Sequence, residues 1–455
     1  MQLTSFLGAA LPVAAAAGVA VSAACLLVPA LRGSLHLRYV PLVALLASLL
    51  ALPTPGASAA TVALVFVAGV IVVVRGLVPP VRFPRPTGPY GVGTVVHRWS
   101  DPGRPEILSE DPDEIREIVA QIWYPYRATS GPRSRYMEDA GAVFSSLLAA
   151  LKDVTGGRTA LPAWLLGHLG HTATNAILEA SIAPEETPYP VVVYLSGLGG
   201  FRTSNTVQVE ELASHGYVVV GIDQPYISAS AAATSGGRRI PMLPRTRLYA
   251  RHDPGVVIAH LAPDVDLVLA RLDDLHGAGQ DEVALNVDLR RVGVFGISLG
   301  GKIAAEACRR NERIGACLMY DAAMPASVVA SGLRAPAMWL TRPVADMRRE
   351  HRRSGGWDDD VIEETITSTA QTLAKQPQGT GFHIAISGMS HIDFTDAPSW
   401  APLLARMGPS GSIGVRRART IVNAFTLAFF DATLRGIGVP LPDNTRFPEV
   451  ECTVY

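Results

Sequence analysis

Hydrophobic and polar positions follow two regimes along the chain. In the first, residues 6–31 and 39–74 contain no charged side chain, and each run exceeds the roughly 20 apolar residues that a bilayer crossing takes. The second run is interrupted by Pro53 and Pro55, so it reads as two crossings joined by the turn PTPGAS. Three transmembrane helices over residues 1–78 are therefore expected. A cleaved leader is the alternative, but the opening MQLTSF lacks the basic patch that leaders carry. Arg32 and Arg38, and then Arg75, Arg82 and Arg85, flank the runs. By the positive-inside tendency they place both groups, and the rest of the chain, in the cytoplasm. The expectation is a multi-pass integral membrane protein.

The second regime begins after a proline-rich linker over residues 79–90. From 91 to 455 short apolar runs alternate with helical periodicity. Strands are predicted at 93–97, 118–123, 191–196, 217–222, 291–297, 315–320, 335–340 and 382–387. Helices are predicted at 205–214, 256–275, 302–310 and 413–434. Several strands are apolar throughout, as strands buried on both faces must be. The pattern predicts an α/β fold with a mostly parallel central sheet flanked by helices. A segment within about 130–180 stands apart: its stretches FSSLLAALK and LPAWLLGHL are helical in pattern. It reads either as an insertion packed on the body or as a lid over an apolar site. His168 and His171 lie in it without a neighbouring carboxylate or cysteine, and read as packing residues rather than metal ligands.

Composition narrows the class. The formal net charge of −1 over 455 residues gives no general attraction to nucleic acid. The four cysteines form no C-x-x-C pair or dense framework, so neither a zinc site nor a disulfide scaffold is expected, and no cofactor is required. The run 348–360, RREHRRSGGWDDD, switches from basic to acidic and reads as solvated helix and loop.

The chemistry enters at GISLG, residues 296–300, which fits G-x-S-x-G between an apolar strand and a helix. There Ser298 would occupy a strained turn with its oxygen facing a cleft, between residues small enough for strand and helix to approach closely. A serine hydroxyl needs a base. His391, in GMSHIDF just past the last parallel-strand candidate, is the candidate, with His383 competing from inside a strand. The carboxylate that would orient it is Asp321, directly after its strand, in preference to Asp346; Asp393 and Asp396 lie too close to His391 in sequence. An oxyanion hole would draw on the backbone N–H groups of Leu299 and of Leu198 in SGLGGFRT. That glycine-rich loop, with Asp223 ending the next strand, also invites a dinucleotide-binding reading. Arg202 stands where the third glycine should be, and the reading leaves the other residues unexplained.

These blocks occur in an order that resembles the platelet-activating-factor acetylhydrolase family, plasma and bacterial type, within the α/β-hydrolases. IVAQIWYPY is similar to its early strand, and YPVVVYLSGLGGFRT with LASHGYVVVGID to its oxyanion loop, helix and strand. VGVFGISLGG resembles its nucleophile elbow, LMYDAAMP and SGMSHIDFTD the segments holding its acid and histidine, and NAFTLAFFDATLRG its last helix. The resemblance spans roughly residues 93–436. It implies Ser298 as nucleophile, His391 as base, Asp321 as acid, and Leu198 and Leu299 as oxyanion donors. It also implies calcium-independent hydrolysis of short or oxidised sn-2 acyl groups of phospholipids. Ser196 stands where the family's loop carries histidine. The expected partners are thus a lipid or other acyl-ester substrate and the bilayer. A carboxylesterase or polyester hydrolase acting on other esters, or an inactive membrane-tethered binding protein, are the alternatives.

Overall fold

A computed structural model describes residues 81–455, apart from 128–130, 139, 156–162, 230–231, 234–236, 238, 280, 401, 403–404, 406–407, 439–440 and 443–444. The chain divides at Pro79 and Pro80, and the unit Pro80–Tyr455 holds the described residues. Its strands are β1 (Gly91–Pro105), β2 (Ile115–Tyr126), β3 (Arg133–Arg135), β4 (Ala173–Leu178), β5 (Tyr189–Leu195), β6 (Val218–Asp223), β7 (Ala232–Ala233), β8 (Arg239–Ile240), β9 (Val287–Ile297), β10 (Ile314–Tyr320), β11 (Ala337–Thr341), β12 (Gly381–Ile386) and β13 (Val450–Val454). Eleven of them form one sheet in the order β13-β12-β11-β10-β9-β5-β6-β2-β1-β4-β3, and β7 pairs with β8 separately. From β12 to β6 every neighbouring pair is parallel. The α/β architecture with a mostly parallel central sheet, expected from the alternation of strands and helices, is the one observed.

Period-two alternation divides the central strands between two cores. On one face Val191, Val193, Leu195, Val292, Val294, Cys317 and Met319 are buried together with residues of the helices Asp264–Ala278 and Leu299–Arg310. On the other, Val192, Tyr194, Phe295, Leu318 and Tyr320 meet Val209 and Leu212 of the helix Thr206–Ser214, and Ile421, Phe425 and Phe430 of the helix Val415–Leu434. Burial on both faces is why these strands read as uninterrupted apolar runs.

Three departures from the sequence pattern have local causes. The helix predicted at 256–275 is two helices, Pro254–Leu261 and Asp264–Ala278. Pro263 lacks an N–H and crowds the carbonyl four residues back, so the chain breaks there. The segment expected to be helical within 130–180 contains the helix Ala140–Thr155 and a short 3-10 stretch, Ala163–His171, but also β3 and β4 at the sheet edge. Its Tyr136, Phe144 and Leu169 pack with Phe201 and Ala229. Third, β13 alternates apolar and polar residues and is exposed beyond Val450, which leaves a weak sequence signature.

The expected placement as a multi-pass integral membrane protein is corrected here. Among the described residues no helix is long and apolar enough to cross a membrane. The longest, Val415–Leu434, carries Arg416, Arg417, Arg419 and Asp431, charges that a bilayer interior would penalise. The three spans expected over 1–78 lie outside the described residues.

A buried ion network ties β2 to the helix Asp264–Ala278. Arg116 Nη2 lies 2.5 Å from Asp264 Oδ2, with both side chains fully buried, and Arg116 Nη1 lies 2.5 Å from Glu106 Oε2. Arg104 Nη2 and Gln224 Nε2 also donate to Asp264, at 2.6 and 2.7 Å. Burial alone would raise the Asp264 carboxyl, but the Arg116 and Arg104 guanidinium groups together outweigh it and hold the group below the usual carboxylate range. The folded state therefore prefers the ionised form. Stability from this source is present above the ordinary carboxylate value and is lost as pH falls through the lowered one. Asp264→Ala is expected to cost about 3–5 kcal/mol at neutral pH, because it strands buried arginine charge. Urea unfolding checks this, and the gap to wild type should narrow in acid.

Candidate active site

The parallel strands deliver the predicted residues to one edge of the sheet, at their carboxyl ends, where sites of open α/β sheets gather. β9 ends at Ile297 and a helix begins at Leu299, so Ser298 alone makes the turn, at φ 55° and ψ −120°. That conformation is costly for a residue with a Cβ. It is held by close approach on both sides. A Cβ at Gly296 would stand 2.2 Å from Gly300 O, and one at Gly300 would stand 2.1 Å from Leu195 O; only glycine fits either place. The Ser298 N–H donates to Tyr320 O at 3.0 Å, which fixes the elbow against the end of β10.

The loop after β5 lies beside this elbow. A Cβ at Gly197 would fall 3.2 Å from Ser298 Cβ and 3.9 Å from Ser298 Oγ. The loop is fastened by Gly199 N–H donating to Ile227 O and Ala229 N–H to Gly200 O, both at 3.0 Å. Leu198 directly precedes the first of these fastened residues. Leu299 opens its helix, and its N–H is among those that a helix leaves without a partner inside itself. Leu147 of the inserted helix and Met242 close over the loop, each with an atom 3.2–3.3 Å from where a Gly199 Cβ would be.

Asp321 follows Tyr320 directly and is itself strained, at φ 43°. Its N–H donates to Leu340 O at 2.8 Å. Its side chain is fully buried, accepting from Thr341 Oγ1 at 3.1 Å and from Arg342 Nε at 2.8 Å, and lying 2.7 Å from His391 Nδ1. Burial would raise this carboxyl. The Arg342 guanidinium and the bond to His391 together outweigh burial and hold it below the usual range. His391 opens a 3-10 turn, His391–Phe394, capped by the reciprocal bonds of Ser390 and Asp393. The imidazole side chain is 23% exposed. With Nδ1 engaged by Asp321, Nε2 is the nitrogen left for a reacting group.

The competing candidates have other work. His383 lies within β12, in register with Trp339 and Thr453, and burial lowers its proton affinity. Asp346 accepts the Gly388 N–H at 2.7 Å and pairs with Arg349. Asp393 accepts from Ser390 N–H and Gly411 N–H. Asp396 accepts the Thr206 N–H at the start of a helix. Asp223, where a dinucleotide ribose would need a carboxylate, is fully buried and bonded to Arg202 through its backbone N–H at 2.6 Å and its guanidinium.

The structure brings three further residues to His391 that sequence reading did not single out. Arg342 directly follows β11, the same position that recommended Asp321. Glu350 accepts from Arg342 Nη1 and, at 3.2 Å, from the His391 N–H. The Trp357 ring stands 4.8 Å from the imidazole. Glu350 and Trp357 belong to the run read as solvated.

A strained serine, loop amides beside it and a carboxylate-bound imidazole are the parts of nucleophilic acyl chemistry. Gly300→Ala would force apart the helix start and the Leu195 carbonyl. Displacement of reacting groups by about 1 Å costs about 10²-fold in rate. A loss of ester turnover of at least about that size, with the protein still folded by circular dichroism, is expected.

Residues 76–239 match the family described as platelet-activating factor acetylhydrolase, isoform II. A solved structure described as a ferulic acid esterase from Streptomyces cinnamoneus is similar, with 27% sequence identity and a TM-score of 0.60, over 81% of this chain and 98% of that one. Together they support a hydrolase acting on esters. Residues 76–239 are thus similar to the platelet-activating factor acetylhydrolase family, and the fold is that of an α/β-hydrolase.

Proposed function

We propose that Ser298, His391 and Asp321 act together as the triad of a serine ester hydrolase. The observation that carries the proposal is the 2.7 Å contact between His391 Nδ1 and Asp321, made by the residue that follows Tyr320, whose carbonyl takes the Ser298 N–H. In this reading Ser298 Oγ attacks the ester carbonyl carbon while His391 Nε2 takes the hydroxyl proton. The Leu198 and Leu299 N–H groups hold the oxyanion as the tetrahedral adduct forms. Its collapse breaks the bond to the alkoxide, which takes the proton from His391. Water then repeats the sequence on the acyl-serine and releases the acid.

For the substrate, the family match supports a short acyl group on a phospholipid. The ferulic acid esterase neighbour favours a second reading, an aromatic acyl group on a non-phospholipid alcohol. Leu147 and Met242 beside the oxyanion loop suit an apolar acyl group of either kind. The bilayer is not required in either reading.

Ser298→Ala is expected to lower hydrolysis of a nitrophenyl acetate by about 10⁴-fold or more, and to abolish covalent labelling by a fluorophosphonate. Wild type that neither hydrolyses the ester nor takes the label would mark the inactive binding protein instead. Relative kcat/KM on a 2-acetyl ether phospholipid and on a feruloyl ester decides between the two substrates.

A further inference from the structure

Arg342 touches three of the groups that surround His391: Asp321, Glu350 and Trp357. Its Nε donates to Asp321 Oδ2 at 2.8 Å, and Asp321 Oδ2 also meets the imidazole at 2.7 Å. Its Nη1 donates to Glu350 Oε2, and the same oxygen accepts the backbone N–H of His391. Its guanidinium carbon lies 4.8 Å from the centroid of Trp357, whose ring stands against the imidazole. Nη2 is buried with no hydrogen-bond partner among the described residues, so the Trp357 face is the neighbour left to that side of the fork. One planar, fully buried cation thus reaches the histidine through its acid, its backbone and its flanking ring.

We propose that Arg342 is a positioning residue for the His391–Asp321 pair, and that its charge sets how firmly the imidazolium is held during turnover. The proposal rests on the triad reading above. Two carboxylates, Asp321 and Glu350, lie close to His391; uncompensated, both would favour its protonated form. Arg342 sits between them and offsets part of that attraction. It keeps the acid ionised without leaving the base over-stabilised once it is charged.

The other charged groups around this turn are already engaged. Asp393, on the turn itself, is capped by Ser390 N–H, Ser410 Oγ and Gly411 N–H. Asp346, on the helix Val344–Ser354 that carries Glu350, holds Gly388 N–H and Arg349. From the helix Val415–Leu434 packed beneath, Arg419 faces Asp396 at 3.4 Å. That carboxyl also receives Thr206 N–H, and burial raises it to about 7.

The test is the pH profile of kcat/KM on a soluble nitrophenyl ester, with the whole chain. Arg342→Met should lower kcat and move the acid limb up by about one pH unit, since two carboxylates then act on the imidazole unopposed. Glu350→Gln keeps the accepting oxygen for both donors and removes one negative charge; it should move the limb down. Arg342→Lys keeps the charge and loses the fork; it should lower kcat with the limb unmoved. Limbs that stay put in both Arg342→Met and Glu350→Gln would overturn the proposal and leave Arg342 a structural ion-pair residue. If Arg342→Met does not fold, Glu350→Gln decides.

Titration of the His391 ring by NMR in a Ser298→Ala background, with each variant added, gives the same comparison without turnover. Failure of the triad reading would show instead in wild type, as absent hydrolysis and absent fluorophosphonate labelling.

Discussion

Backbone at Gly300 lies so close to the carbonyls of Leu195 and Ser196 that no side chain fits between them. That contact joins the end of β5 to the start of the helix after β9, and both parts of the proposed oxyanion hole lie at it. If it loosened, the serine could relax from its positive φ, the β5 loop would part from the elbow, and the first-turn amides would lose their aim. The strain at Ser298 is sustained because the surroundings over-determine it. Two apolar cores grip β9 from opposite faces, and the Ser298 N–H is taken by Tyr320. The same bond sets the serine next to the residue that precedes Asp321.

Much of this was legible in the sequence for one reason. Strands buried on both faces must be apolar at every position, and such runs mark their own ends. The eight predicted strands correspond to β1, β2, β5, β6, β9, β10, β11 and β12. Ser298, Asp321 and His391 were singled out because they follow such ends, and the structure puts Asp321 and His391 in contact. Strands at the margins, β3, β4 and β13, escaped notice. They are short or half exposed, and alternation over so few residues resembles loop. Glu350 and Trp357 escaped because a charged run gives no hint of which members turn inward. Glu350 is buried against Arg342, a contact between residues that belong to different elements. Arg342 itself was available to the strand-end argument, but an arginine at that place suggested no role in acyl transfer.

The inserted segment shows how a hydrophobic pattern can be right about burial and incomplete about form. Its apolar positions do pack, with Phe201 and Ala229 and partly with Trp400, and Ser146 receives the Met242 N–H at 3.1 Å. Part of it nonetheless extends the sheet, because β4 finds a free edge at β1. The long uncharged runs near the start of the chain suggested a membrane. Among the described residues no helix is long and apolar enough to cross one.

The cluster of Asp321, Arg342 and Glu350 also constrains how the sequence can drift. Loss of the guanidinium alone would leave two desolvated anions side by side, and loss of either anion would leave the cation half answered. Exchanges at these three positions are therefore strongly coupled rather than additive. In descendants of this chain they should be inherited as a set or replaced as a set, whereas an exposed charge of the neighbouring helix Val344–Ser354, such as Arg352, can change by itself.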